Sequence, residues 1–287
     1  YTITVMDALA QPGGMLVGAI PAFRLPRYVI DHDIGIIRSL GVEFIPSVRI
    51  GKELTLQEIR RDRFDAVVLA IGTWKDIELG IPGEDTSGCL KCLDFLNTVN
   101  AGHAINLSGT VLVIGGGNAA IDTARTALRT GSRKVIVLYR RSQKEMPASK
   151  EEVEAALREG VQIQYLVAPK RVVSKEGKVK GVELIRMELG EPDETGRRMP
   201  IPMTGSEFIQ AADFVMPAIG QRSEIPFLTA DSISERGTIT LGKDGQVKEY
   251  KGVFAAGDAV TGPSTVVEAI ASGKAAALKV IRYLESI

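Results

Sequence analysis

The stretch "GTVLVIGGGNAAIDTARTALRTGSRKVIVLYRRS" constrains this chain more than any other. Val111 to Ile114 reads as a buried strand, and Gly115-Gly116-Gly117-Asn118-Ala119-Ala120 follows at once in the pattern G-x-G-x-x-A. A helix then runs through Ile121, Ala124, Ala127 and Leu128 to a stop at Gly131, and a second strand covers Val135 to Tyr139. That order is a dinucleotide-binding βαβ unit. Gly115 permits the tight turn, Gly117 lets backbone approach a pyrophosphate, and the small residue at 120 lets helix pack on strand. The N–H groups at the helix start, at Asn118 and Ala119, point at the phosphates.

A unit selective for NAD places Asp or Glu at the end of the second strand, ~20 residues past the loop, to bind a ribose 2′-hydroxyl. Here Tyr139-Arg140-Arg141-Ser142 stands in its place. Guanidinium forks suit a 2′-phosphate and no carboxylate at the strand end repels it, so NADP(H) is expected rather than NAD(H), with Lys144 as a further cation. The plainer alternative is a pair of solvated arginines.

Strands rich in Val and Ile alternate with amphipathic helical stretches along the chain, which sets the fold class as α/β with a mostly parallel sheet. At 287 residues and 45% hydrophobic content the chain holds about two domains. Lys+Arg and Asp+Glu number 35 each, so no charge excess advertises nucleic acid or an anionic membrane as partner. No apolar run reaches the ~20 residues of a membrane span and the N-terminus lacks a signal-peptide pattern, from which a cytoplasmic location is expected. Two cysteines, Cys89 and Cys92, are too few for an iron–sulfur cluster, and no metal site is expected.

Two strand-like runs close alike on Ala-Ile-Gly, "DAVVLAIGT" (Asp65 to Thr73) and "DFVMPAIGQ" (Asp213 to Gln221). They read as matched crossovers at Gly72 and Gly220 that enclose one domain within another, with segments 1–74, 75–220 and 221–287. The first segment opens on an alternating strand, Ile3, Val5 and Met6, ending at Asp7, the position from which a carboxylate grips a ribose. In the last segment Gly252 to Asp258 gives strand, glycine and acid, and Gly262-Pro263-Ser264-Thr265 opens a long helix from Val266. An acid there reaches a polyol or ribose hydroxyl, and a helix start stabilises negative charge on a ring. Leu189 to Phe208 is expected to be a solvated loop or hairpin, and Ser149 with Glu152 a capping box of a helix that stops at Gly160. Trp74 reads as a packing residue at the crossover, and His32 and His103 as structural.

The stretches "QPGGML", "IPAFRLP", "GGGNAAID", "YRRSQKEMPASKEEVEAALREGV" and "GVFAAGDAVTGPSTVVEAIASGKAAA" together resemble the small (beta) subunit of NADPH-dependent glutamate synthase and its relatives, which include flavoprotein subunits of ferredoxin:NADP oxidoreductases. The resemblance runs over the whole length, and Glu145-Met146-Pro147-Ala148 is its most specific part. It implies two Rossmann-like domains, an NADP(H) domain (75–220) inserted into an FAD domain split as 1–74 and 221–287. It also implies that Asp7 binds the adenosine ribose of FAD, that Gly14 and Met15 lie along the flavin, that Gly257 and Asp258 serve the ribityl chain, and that Thr265 with Val266 face the isoalloxazine. The first FAD strand, its glycine loop and a cysteine-rich iron–sulfur segment are expected before Tyr1, so the FAD domain is truncated at its N-terminus and weak flavin binding is expected.

The function so implied is an NADPH:flavin oxidoreductase module. The nicotinamide would lie against the flavin near Gly72 and Gly220, and hydride would pass between cofactors with no catalytic side-chain acid or base. Electrons would continue to iron–sulfur clusters and a larger electron-accepting subunit such as the glutamate synthase large subunit. Two rivals remain. Cys89-Leu90-Lys91-Cys92 is a CxxC of the kind found in thioredoxin reductase, although Leu93, Phe95, Leu96 and Val99 give it an apolar helical face on which cysteines act as small hydrophobes. The chain alone could instead be a noncatalytic NADP(H)-binding module.

Overall fold

The computed structural model describes residues 1–62, 64–194 and 196–287. The chain begins with β1 (Thr4–Met6), α1 (Met15–Gly18), α2 (Arg27–Ser39), β2 (Glu43–Ile45), α3 (Leu56–Asp62), β3 (Val67–Leu69) and β4 (Lys75–Asp76). Its middle holds α4 (Cys92–Asn100), β5 (Thr110–Ile114), α5 (Asn118–Arg129), β6 (Lys134–Tyr139), α6 (Lys150–Glu159) and β7 (Gln162–Tyr165). There follow β8 (Val167–Lys175), β9 (Lys178–Pro192), β10 (Arg198–Pro202), β11 (Phe208–Ala211) and β12 (Phe214–Pro217). The chain closes with β13 (Gln221–Arg222), β14 (Val253–Ala255), α7 (Asp258–Thr261) and α8 (Val266–Leu284).

Two compact units emerge: a central one of residues 17–26 and 76–220, and a terminal one of residues 1–16, 27–75 and 221–287. The central unit is built on a parallel sheet of order β12-β5-β6-β7. Alternation along β5 and β6 divides its side chains between two cores. Val111, Val113, Val135 and Val137 meet Phe95 and Leu96 of α4, Ile121 and Ala124 of α5 and Val153 of α6. Leu112, Ile114, Ile136 and Leu138 meet Val172, Val179, Val182 and Leu184 of the antiparallel β8–β9 layer. Continuous Val/Ile/Leu runs are what a parallel sheet covered on both faces requires. Alanines at 120, 124 and 127 let α5 approach the sheet closely, and all three are fully buried.

Residues 17–26 cluster with the central unit although their sequence neighbours on both sides do not. Asn100 Nδ2 donates to the carbonyls of Gly18 (3.0 Å) and Ile20 (3.2 Å), and the Phe23 ring packs on the guanidinium groups of both Arg125 and Arg129, 4.5 and 4.1 Å from its centroid. Arg24 donates to Asp122 of α5 at 2.6 Å and lies 3.4 Å from Glu152 of α6. Glu152 is thereby occupied. Ser149 accepts from the Glu152 N–H as expected, but the reciprocal half of the capping box is absent because the Glu152 carboxylate turns to Arg24 and Arg125.

The terminal unit contains two parallel ladders, β1–β2 and β14–β3, and a core of Leu56, Leu69, Ile225, Leu228, Ile239, Val247, Val253 and Ala255. A complete capping box between Thr265 and Glu268 opens α8, whose Tyr283 meets Phe254 edge-on at 5.7 Å. No helix among the described residues is long and apolar enough to cross a membrane.

Candidate functional site

The glycine loop lies at the end of β5, where backbone crowding sets each residue. A Cβ on Gly115 would enter the Ala218 carbonyl, and one on Gly116 would enter the Tyr139 ring. Gly117 differs: a Cβ there would meet nothing within 4 Å. The loop is therefore packed from behind at its first two glycines and open at the third, where a ligand backbone can approach. Gly117 is the N-cap of α5 and no side chain caps the helix, so its first N–H groups are left for an anion.

What holds the loop was not legible as such. The Ala148 N–H donates to the Gly116 carbonyl (3.0 Å), the Ser149 N–H to Asn118 Oδ1 (3.1 Å), and the Tyr139 hydroxyl to the Glu145 carbonyl (2.7 Å). The Glu145-Met146-Pro147-Ala148 stretch is thus the clamp of the glycine loop. Asn118, counted among the phosphate-facing residues for its N–H, also fixes that clamp through its side chain.

Beyond β6 the two arginines part ways. Arg140 is exposed and has no partner among the described residues. Arg141 is buried; its Nε donates to the Arg198 carbonyl (2.8 Å) and its Nη2 to Asp193 Oδ2 (2.7 Å). The expected polar excursion is a β9–β10 hairpin, with Thr195 outside the described residues, and it delivers to this strand end a carboxylate that sequence proximity does not reveal. Glu145 is held below the usual carboxyl range chiefly by the Ser142 hydroxyl, with which it forms a capping box around a single 3₁₀ turn, Gln143–Glu145. Lys144 is exposed in that turn.

In the terminal unit the Asp7 carboxylate accepts from the Leu9 N–H (2.9 Å) where β1 ends. Gly13 and Gly14 take positive φ (122° and 53°), Met15 starts α1, and the Trp74 ring stands beside Gly14 and Gly72. The Gly72 carbonyl accepts from the Ser223 hydroxyl (2.7 Å), while Gly220, in the central unit, accepts from the Ile77 N–H (3.0 Å). Asp258 follows Gly257 at the start of α7. Burial pushes its carboxyl up, and its Oδ1 is buried without a hydrogen-bond partner among the described residues. Such an orphan fits a hydroxyl-bearing ligand, because an unmet buried acceptor is costly. Thr265 accepts from the Glu268 N–H as N-cap of α8, and Val266 is exposed.

The cysteines face different cores. Cys92 is wholly buried with the helices and lies 2.9 Å from the Thr123 hydroxyl, whereas Cys89 packs against the antiparallel layer. Both are free thiols, and burial pushes Cys89 up to about 11 and Cys92 up to about 12, the reverse of what a reactive dithiol needs. Among the described residues no cluster of His, Cys, Asp and Glu could hold a metal ion.

Residues 29–273 match the family model described as pyridine nucleotide-disulphide oxidoreductase. The NADP(+)-dependent formate dehydrogenase subunit beta of Moorella thermoacetica is 43% identical over 288 residues, 99% of this chain but 41% of that protein. A putative glutamate synthase [NADPH] small chain of Cereibacter sphaeroides is 36% identical over 298 residues, 98% of this chain and 71% of that protein. Among solved structures, Mycobacterium tuberculosis FprA in complex with NADPH superposes with a TM-score of 0.84 at 22% identity, covering 99% of this chain and 78% of that one.

Proposed function

The chain belongs to the pyridine nucleotide-disulphide oxidoreductase family, and from that membership we propose that it is the NADPH-binding part of a flavin-dependent oxidoreductase of the glutamate synthase small-chain type. The observation that carries the reading is the uncapped start of α5 beside an exposed Arg140, a phosphate seat and a free cation one strand apart. The 115–120 loop holds the pyrophosphate, with Asn118 and Ala119 at the helix start. Arg140 gives the far end a positive charge that suits a 2′-phosphate, while Arg141, paired with Asp193, shapes that strand end.

The terminal unit supplies groups toward FAD. Asp7 serves the adenosine ribose, Gly14 and Met15 line the ring, Asp258 offers its orphan oxygen to a ribityl hydroxyl, and Thr265 and Val266 set the start of α8 toward the ring. Segments 1–74 and 221–287, apart from residues 17–26, which pack with the central unit, form this FAD domain and 75–220 the NADP(H) domain. When bound, the two cofactors supply hydride transfer from nicotinamide to flavin. The chain orients them and requires no side-chain acid or base of its own. Relatives named as a subunit beta and a small chain support a larger partner subunit, and the chain spans less than half the length of the Moorella relative. In the assembled protein, electrons pass through an iron–sulfur segment to that electron-accepting partner, in the cytoplasm.

Hydrogen exchange with and without NADPH tests the placement. Protection confined to amides of 115–121 and 140–149 is expected, and protection elsewhere, or none, would contradict it.

A further inference from the structure

We infer that the β9–β10 hairpin is a selectivity element for the 2′-phosphate, with Asp193 as a positioning residue that acts through Arg141. The inference rests on the NADP(H) reading above and assigns its selectivity to a distant part of the chain.

Arg141 has 7% of its side chain exposed, and two of its donor positions are spent on one hairpin. A guanidinium so enclosed is poorly placed to meet a ligand, unlike its exposed neighbour Arg140. Asp193 is equally committed. Its Oδ2 accepts from Arg141, its Oδ1 accepts from the Arg197 N–H (3.3 Å), and its N–H and carbonyl close the hairpin turn with Arg197 and Gly196 (2.8 Å each). The Arg141–Asp193 pair is therefore a latch between the end of β6 and the tip of the hairpin.

The latch brings a further cation to the site. Arg198 is exposed, has its backbone carbonyl held by Arg141 Nε (2.8 Å), folds its guanidinium back onto the carbonyls of Leu189 and Gly190 (2.5 and 2.9 Å), and its positive charge adds a small part to the lowering of Glu145. The paired charges of Arg141 and Asp193 cancel at a distance, whereas the positive field of Arg198, seated by the latch, does not. Removing Asp193 should therefore weaken phosphate recognition even though it removes a negative charge. If Arg141 were itself the phosphate ligand and Asp193 its competitor, the sign would be opposite.

The test titrates the full chain with adenosine 2′,5′-bisphosphate and with adenosine 5′-monophosphate by calorimetry and compares the ratio of the two dissociation constants. Loss of folding harms both ligands alike, so the ratio reports the 2′-phosphate alone. Asp193→Ala and Arg141→Ala should each lower the preference for the bisphosphate by about tenfold, the scale of one charge-assisted hydrogen bond. The double variant should do no worse than either, and Asp193→Glu should restore most of the preference. A preference raised or unchanged by Asp193→Ala overturns the inference while leaving the NADP(H) reading intact. A parent chain with no preference, unaffected by Arg140→Ala, overturns both.

Discussion

Each glycine of the loop has its own physical duty, and alanine substitutions separate them. Gly115→Ala drives a methyl into the Ala218 carbonyl, and such overpacking costs roughly 1–3 kcal/mol. A lowered Tm is expected. Gly117→Ala points into open space, so Tm should hold while NADPH affinity falls; calorimetry and thermal melts on the two variants check the division. Asp122 carries a pH dependence of definite sign. Burial, outweighing Arg24, raises its carboxyl to about 6, and its Oδ1 is buried without a partner among the described residues. The folded chain holds this proton more tightly than the unfolded chain. The contribution is therefore favourable below an ordinary carboxyl pKa and is lost as pH rises through about 6, a swing on the order of 2–3 kcal/mol. Glu159, pulled down to about 2 chiefly by Arg129, contributes alike to the wild type and the variant and so cancels in their comparison. On going from pH 7 to pH 5, the wild type should gain Tm relative to Asp122→Asn; parallel curves would contradict the assignment.

At the scale of elements, what was legible is what neighbouring residues dictate. The β5–α5–β6 unit is written in periodicity, small residues and a glycine stop, and β5, α5 and β6 fall within a residue or so of expectation. Contacts between distant parts were not. The role of Glu152 depends on Arg24, 128 positions before it, and Arg141 is tied down by Asp193, 52 positions after it; neither pairing leaves a local pattern. "IPAFRLP" carried family resemblance but no mechanism until Phe23 and Arg24 were seen against α5 and α6. The CxxC shows the converse, a local pattern emptied by its surroundings. Cys92 opens α4 within the core, and Cys89 is half-buried in the connection before it, bridged to Val215 of β12. Ellman's reagent on the native chain should label Cys89 slowly and Cys92 only on unfolding. Rapid labelling of both would revive the dithiol.

Across the whole molecule the two units stand differently toward their cofactors. Among the described residues the only G-x-G-x-x-A loop that opens a helix lies in the central unit. The terminal unit has a buried Asp258 oxygen without a hydrogen-bond partner and a helix start at Thr265, but no G-x-G-x-x-A loop among those residues. Its ladders are two-stranded, and α8 exposes Val267, Ile270 and Leu278. The purified chain is accordingly expected to bind NADPH yet lose added FAD on gel filtration; stoichiometric retention, read at 450 nm, would show that the ring-side residues suffice. The central claim is an adenosine site that wants a 2′-phosphate, and calorimetric titration of this chain with NADPH and NADH tests it most directly. The account expects NADPH to bind at least about tenfold more tightly, with the margin lost in Arg140→Ala. Equal affinities, or no binding of either nucleotide, would contradict it.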